Sequence, residues 1–515
     1  MYDYFVYTWK KLFTPVFFVF LFSLCLHGWF SLSRLYFSQD LARDLFLIEQ
    51  YKIEKTWLVP YGPKASVGNF YLPPFYYQIF LGLSSLVPSP FTMTLLIVII
   101  ESFTPVLLFI IVKRLFDEKA AIVAGILAAS APLVVIFSTF SWNPNMVPFF
   151  SLLTLLALLE YGRQNNLKYL VTAFISFSIA FQLHYQATLL VPVFLFAFLQ
   201  QVFQKKILIK HWLIASIAAI ALFVPYGMAE ISNNFQNSRA LYTYVTEEHA
   251  HYFDQLSKNY FVWTFIPAFV ERVQLQENTN SFRLGRILIF IGLPLLCWYA
   301  YKKKLLIVAL YFLGILFMLR VYKGDKVDYY MSTLFIFPSL LLASLFHWKK
   351  YLGLPLIIFA LVISGFNLGK IERVNQFSEM SEVSDLLLIE IPSKQVRFII
   401  HDDDFANTMV YLSKMSDITI DQSSLQIVDV CKKEEPCFLY PTSFSTKTNM
   451  ESFTSELRAS GKYHYKTTIT PETLPFVLHV GYLEQAPERT ISHPLLQQNS
   501  MNQFGSDMLM SELFE

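Results

Sequence analysis

The segment SQDLARDLFLIEQ places Asp40, Arg43 and Asp44 at positions i, i+3 and i+4. On a helix that spacing puts all three on one face. A carboxylate beside a guanidinium suits a general base next to an anion site. The Asp takes a proton from an acceptor hydroxyl, and the Arg neutralises a phosphate through two parallel hydrogen bonds. The same spacing also describes an amphipathic surface helix with a local ion pair, and the motif alone does not separate the two readings.

Further candidates follow along the chain. The stretch WLVPYGPKASVGNFYLPPFYYQIFLG carries Gly62, Pro63, Gly68, Pro73 and Pro74, which fix turns, and Tyr71, Tyr76 and Tyr77, which supply rings and hydroxyls. Lys64 either reaches a phosphate oxygen or is a solvated loop lysine. Asn143 stands between Trp142 and Pro144, where it caps the next helix or turns its amide to a ligand's hydroxyls. His184 and Tyr185 close an apolar run, as a substrate contact or as interfacial anchors. Arg320 just precedes YKGDKVDYY, and Lys323 is its second residue, in a short link between two apolar runs. EEHAH, with His249 and His251, lacks the neighbouring ligands that a metal site needs. No Asp/Glu/His cage is evident, so no metal and no cofactor is expected.

The elements that position these residues are set by composition. The chain of 515 residues is 55% hydrophobic and 15% charged, far below the charge of a soluble domain. Apolar runs fall at 12–33, 91–112, 119–138, 144–161, 167–185, 187–204, 211–229, 285–301, 304–321, 328–347 and 351–368, about eleven passes of membrane-spanning length. The first reads as an uncleaved helix rather than a signal peptide. With the N-terminus inside, every inward loop is basic, for instance Lys113/Arg114, Lys205/Lys206 and Lys302/Lys303/Lys304. That assignment places 34–90, 230–284 and 370–515 outside. It also makes 74–87 a surface helix, because counting it as a span would reverse every later loop. A second surface helix is expected over about 40–52. The expected fold is therefore a polytopic α-helical membrane protein: a transmembrane module at 1–369, then an extracytoplasmic α/β domain at 370–515. Strands are expected in VRFIIHDDD, LQIVDV, PCFLYPTSF and PFVLHVGYLE, and a helix in NTMVYLSKM. Asp402, Asp403 and Asp404 follow a strand end, as a ligand site or an acidic turn. Cys431 and Cys437 form a disulfide or remain two free thiols. No basic stripe is present, which argues against nucleic acid.

The layout resembles the GT-C glycosyltransferases: a first helix, an outer loop with an acidic DxxR-type motif, a Gly-Pro loop, then PPFYY opening a surface helix. Within them it is similar to the protein O-mannosyltransferase and aminoarabinose transferase family (glycosyltransferase family 39). DLARD (Asp40–Asp44) resembles the variant common in bacterial members, and NFYLPPFYY (Asn69–Tyr77) the segment around the two prolines. SWNPN (Ser141–Asn145), LHYQ (Leu183–Gln186) and DYYMSTLFIFP (Asp328–Pro338) are looser likenesses.

The resemblance implies transfer, with inversion, of a sugar from a polyprenyl-phosphate carrier to a lipid, glycan or protein acceptor at the outer membrane face. It implies Asp40 as base and Arg43 as phosphate contact, with Asp44 beside them. Where the aminoarabinose transferases carry Glu-Lys before the two prolines, this chain has Tyr71 and Leu72. The cation must then come from Lys64 or a later basic residue such as Arg320 or Lys323. The expected location is a prokaryotic cell membrane, among its lipids. Two rival functions share part of the pattern: a surface-polysaccharide polymerase or ligase, and a transporter. Glu101, inside a span, is the feature that favours transport.

Overall fold

Every apolar stretch marked in the sequence is helical, because backbone polar groups in a bilayer find partners only within the chain. The computed structural model describes residues 14–65, 69–246, 258–276, 283–322, 326–371, 373–374, 376–400, 405–421, 424–433 and 463–483. Two compact units emerge: residues 1–33 with 57–371, and residues 34–56 with 372–515.

The first is a membrane unit. Among the described residues seven helices are long and apolar enough to cross a bilayer, from Pro15–Arg34 to Lys350–Lys370. Ile209–Ala221 and Val224–Ser232, bent by 60° at their junction, make an eighth if they are one span. Ile217, Ile220 and Val362 lie exposed on these helices, which suits lipid and not water. Other stretches among the expected passes fall short of membrane-spanning length for local reasons. Leu167–Leu183 and Leu306–Val321 are apolar but short. The 119–138 stretch divides into Glu118–Ser130 and Pro132–Phe137. Ala131 takes the extended backbone that a following proline demands, and Pro132 has no N–H with which to continue the first helix.

A larger correction concerns the 230–284 loop. Ile266–Leu275 is a helix whose Phe269, Val270 and Val273 are fully buried in the core. Gln274 accepts a bond from Ser339 Oγ at 3.2 Å, and its carbonyl accepts one from Ser364 Oγ at 2.6 Å. Glu271, Arg272 and Gln274 interrupt the hydropathy of this segment, and a helix enclosed by protein needs no twenty-residue apolar run.

The second unit is a mixed five-stranded sheet. Its strands are β1 (Gln395–Ile400), β2 (Thr419–Ile420), β3 (Gln426–Lys432), β4 (Tyr463–Ile469) and β5 (Phe476–Leu483), in the order β2-β1-β3-β5-β4. β2, β1 and β3 are parallel, while β5 and β4 add antiparallel. Val396, Phe398, Val428, Val430, Leu478 and Val480 are buried, and the register sets them on one face, as period-two alternation requires. β1, β3, β5 and helix Ala406–Met415 fall where the sequence pattern puts them; PCFLYPTSF and Asp402–Asp404 lie outside the described residues. Cys431 is disulfide-bonded; Cys437 is likewise outside the described residues.

Residues 34–56, assigned to the membrane module by sequence, belong to this second unit. The Phe37 ring packs on Phe377 and Tyr411 at centroid distances of 5.5 and 4.9 Å, and Glu49 pairs with Lys414. Tyr36 bridges to Gln376 as a short antiparallel pair.

Candidate active site

Helix Gln39–Ile53 forms where a surface helix was expected, with Ser38 Oγ capping it by accepting from Leu41 N at 3.1 Å. One turn in, Arg43 lies between two carboxylates. Its Nη1 reaches Asp40 Oδ1 at 2.8 Å. Its Nε and Nη2 both donate to Asp44 Oδ1, at 3.0 and 2.7 Å. The side chains differ in access: Asp44 is 1% exposed and Asp40 34%. Asp44 therefore anchors the guanidinium, while the Asp40 carboxylate stays partly exposed. The ion-pair reading of the motif is realised, as a local network that leaves one acid partly exposed.

In the membrane unit, Tyr61–Leu72 folds back on itself. Gly62 N donates to Leu72 O at 2.7 Å, Leu72 N to Pro63 O at 3.0 Å, and Ala65 N to Phe70 O at 2.9 Å. Gly62 is required here, since an added Cβ would collide with the Pro73 carbonyl oxygen. Lys64 sits opposite Tyr71, its Nζ 5.9 Å from the ring centroid. The arm is held by residues that the sequence did not mark. Asn237, buried, accepts from Tyr71 N at 2.6 Å and donates to Tyr71 O at 3.1 Å, as a neighbouring strand would. It also donates to the Tyr226 hydroxyl at 2.8 Å. Glu230, equally buried, accepts from the Tyr61 hydroxyl at 2.9 Å and from Ser238 N at 2.8 Å. Burial raises the Tyr61 phenol above its ordinary range, which keeps it a donor. Tyr185, a candidate ligand, donates its hydroxyl to Tyr71 O at 3.2 Å and so braces the same arm.

Three segments with loose family likeness meet elsewhere in this unit. Asn143 does not cap the following helix. Its Nδ2 donates to Leu183 O at 2.6 Å and ties the SWNPN break to the LHYQ break. Met146 takes the cap position, without a side-chain bond. Ser332 Oγ donates to Gln186 Oε1 at 3.2 Å and joins the DYY segment to them. His184 packs against Tyr329 and Tyr330, and Trp142 against Tyr329.

The remaining cations are dispersed. Arg320 lies 6.0 Å from the Phe261 ring, and Arg272 pairs with Asp328. Lys323, His249 and His251 are outside the described residues. Glu101, the residue that favoured transport, is a buried bond acceptor. It accepts from Thr104 Oγ1 at 2.9 Å and from Phe149 N, in the first turn of helix Val147–Gln164, at 3.3 Å. A carboxylate there satisfies a donor that a helix N-terminus leaves open.

Residues 72–228 match the family model of dolichyl-phosphate-mannose-protein mannosyltransferase. Among solved structures, ArnT from Cupriavidus metallidurans bound to undecaprenyl phosphate is similar at TM-score 0.55 and 10% identity. That match covers 92% of this chain and 98% of the other. The apo oligosaccharyltransferase of Archaeoglobus fulgidus is similar at TM-score 0.46 and 12% identity, over 80% of this chain and 65% of that longer one. No curated protein matches by sequence. The chain thus has the fold of the GT-C glycosyltransferases.

Proposed function

We propose that this protein is an inverting glycosyltransferase that moves a sugar from a polyprenyl-phosphate carrier to a lipid, glycan or protein acceptor. The observation that carries the reading is the likeness in fold, over nearly its whole length, to a transferase structure that holds a polyprenyl phosphate. The match of residues 72–228 to a mannosyltransferase family model supports it independently of geometry.

The chemistry asks for one base near an acceptor oxygen and for cations on the departing phosphate. Asp40 is the base: it is the accessible acid of its cluster. Arg43, held by Asp44, binds phosphate. In the membrane unit, Lys64, Arg320 and Lys323 are the candidates for phosphate. Tyr71, Asn143, His184 and Tyr185 serve by shaping the substrate-binding surface of the membrane unit. As the acceptor hydroxyl attacks the anomeric carbon, its proton passes to Asp40 and the carbon–oxygen bond to phosphate breaks. The carrier phosphate leaves as an anion of moderate basicity, so the step needs no further acid. The N-terminus is cytoplasmic and the C-terminal unit extracytoplasmic, following the basic loops.

Transfer from a radiolabelled polyprenyl-phosphate hexose, measured in membranes, tests the mechanism. Asp40→Asn is expected to lower turnover by about 10² to 10⁴-fold at normal expression. Near-normal turnover in that variant removes Asp40 as base.

A further inference from the structure

We propose that Trp142, His184, Tyr329 and Tyr330 form a carbohydrate-binding subsite on the membrane unit. The proposal deepens the glycosyltransferase reading by naming where a sugar ring rests, and it relies on that reading for the class of ligand.

The four side chains come from three short 3-10 helices: Trp142 precedes Asn143–Met146, His184 precedes Tyr185–Leu190, and Tyr329 and Tyr330 lie in Asp328–Leu334. The Trp142 and Tyr329 centroids are 4.5 Å apart, as are those of Tyr329 and Tyr330. The His184 ring lies 5.2 Å from Tyr330 and 5.8 Å from Tyr329. All four are half-buried: packed on one another, with part of each still accessible. The backbones beneath them are locked by the Asn143–Leu183 and Ser332–Gln186 bonds, so the rings stand on a preformed base.

The polar detail selects the ligand. His184 Nδ1 accepts from Gln186 N at 3.2 Å, so its proton is on Nε2. Among the described residues none accepts from that Nε2–H, which leaves it as a donor for a ligand. Aromatic faces suit the apolar face of a pyranose, while phenol and imidazole edges suit its hydroxyls. A bare aromatic cage would equally take a quaternary ammonium headgroup. Here the N–H dipole presents its positive end, which opposes a cation and favours a hydroxyl or ring oxygen. Beside Tyr329, Asp328 is already neutralised by Arg272, so it offers no free anion to an ammonium.

The sugar can belong to the donor or to a glycan acceptor. The test is saturation-transfer NMR on the full-length protein purified in detergent. The probes are methyl glycosides of common hexoses and pentoses, with phosphocholine as the headgroup control. Saturation transfer to at least one glycoside and none to phosphocholine is expected. Trp142→Leu and Tyr330→Leu, shown folded by unchanged thermal unfolding, should bind that glycoside about tenfold more weakly. His184→Gln, which keeps a donor, should retain more binding than His184→Leu. Absence of transfer to every glycoside, binding indifferent to all these substitutions, or equal transfer to phosphocholine would overturn the subsite. Because binding is read without turnover, a protein that binds glycoside but transfers nothing defeats the glycosyltransferase reading and leaves the subsite standing. In an active preparation, a raised KM for carrier-linked sugar with kcat little changed assigns the subsite to the donor. A raised KM for acceptor assigns it to the acceptor.

Discussion

Arg43 touches two acids of unequal exposure, and the inequality divides their work. Asp44, enclosed, fixes the guanidinium through two bonds to one oxygen. Asp40, more open, meets Nη1 alone, which leaves its second oxygen for the base role proposed above. The same logic of enclosed and open acids applies to Glu379 in the C-terminal unit. Burial by itself would raise its carboxyl. The Thr473 hydroxyl and the backbone N–H groups of Glu472, Thr473 and Leu474 outweigh burial and hold it below its ordinary value. A carboxyl lowered in the folded state contributes stability that is complete above its unfolded value, roughly 4.3, and is lost as pH falls through the lower folded value. Thermal unfolding of the full-length protein between pH 7 and pH 3 should therefore show Tm falling in the acid range. Glu379→Gln should flatten that fall. An identical slope in the variant would show that Glu379 carries none of it.

At the scale of elements, the Tyr61–Leu72 arm has too few internal bonds to stand alone. Its rigidity comes from Val224–Ser232 and Gln236–Thr246, through Glu230 and Asn237. Asn237→Ala removes both bonds to the Tyr71 backbone at once: Tyr71 O keeps the Tyr185 hydroxyl, while Tyr71 N and the Tyr226 hydroxyl each lose their bond to Asn237. Each such group costs about 1–3 kcal/mol. The variant should unfold at lower temperature and become protease-sensitive near Lys64, as read by limited proteolysis. Asn237→Asp, which can still accept from Tyr71 N, should lie between it and the wild type. Wild-type resistance at Lys64 in Asn237→Ala would mean that the arm is held by something else.

At the scale of the whole molecule, the arrangement of basic loops makes a definite statement about sidedness. Single cysteines introduced at Lys64, Arg239 and Ser393 should react with a membrane-impermeant maleimide added from outside intact cells. Cysteines at Lys113, Lys205 and Lys303 should react only after permeabilisation. Labelling of position 64 from inside would reverse the topology and remove the proposed outer-face chemistry.

What the sequence determined unaided was whatever rests on local chemistry. Long apolar runs can satisfy their backbones only as helices, so the spans from Thr92–Leu115 to Lys350–Lys370 were legible. So were the helices at Gln39–Ile53 and Phe75–Leu86, the i, i+3, i+4 acid–arginine cluster, and the alternating strands of the C-terminal unit. Only the tertiary structure decided matters that depend on contacts between distant residues. It grouped residues 34–56 with the C-terminal unit, because Phe37 and Glu49 find partners near residue 400 and not near residue 80. It enclosed Ile266–Leu275, whose charged residues disguise a core helix when read one residue at a time. It turned Asn143 from a cap into a tie, and it brought Trp142, His184 and Tyr329 together. A side chain's type is written locally, but its partner is set by chain closure over a hundred residues or more, which no local pattern encodes.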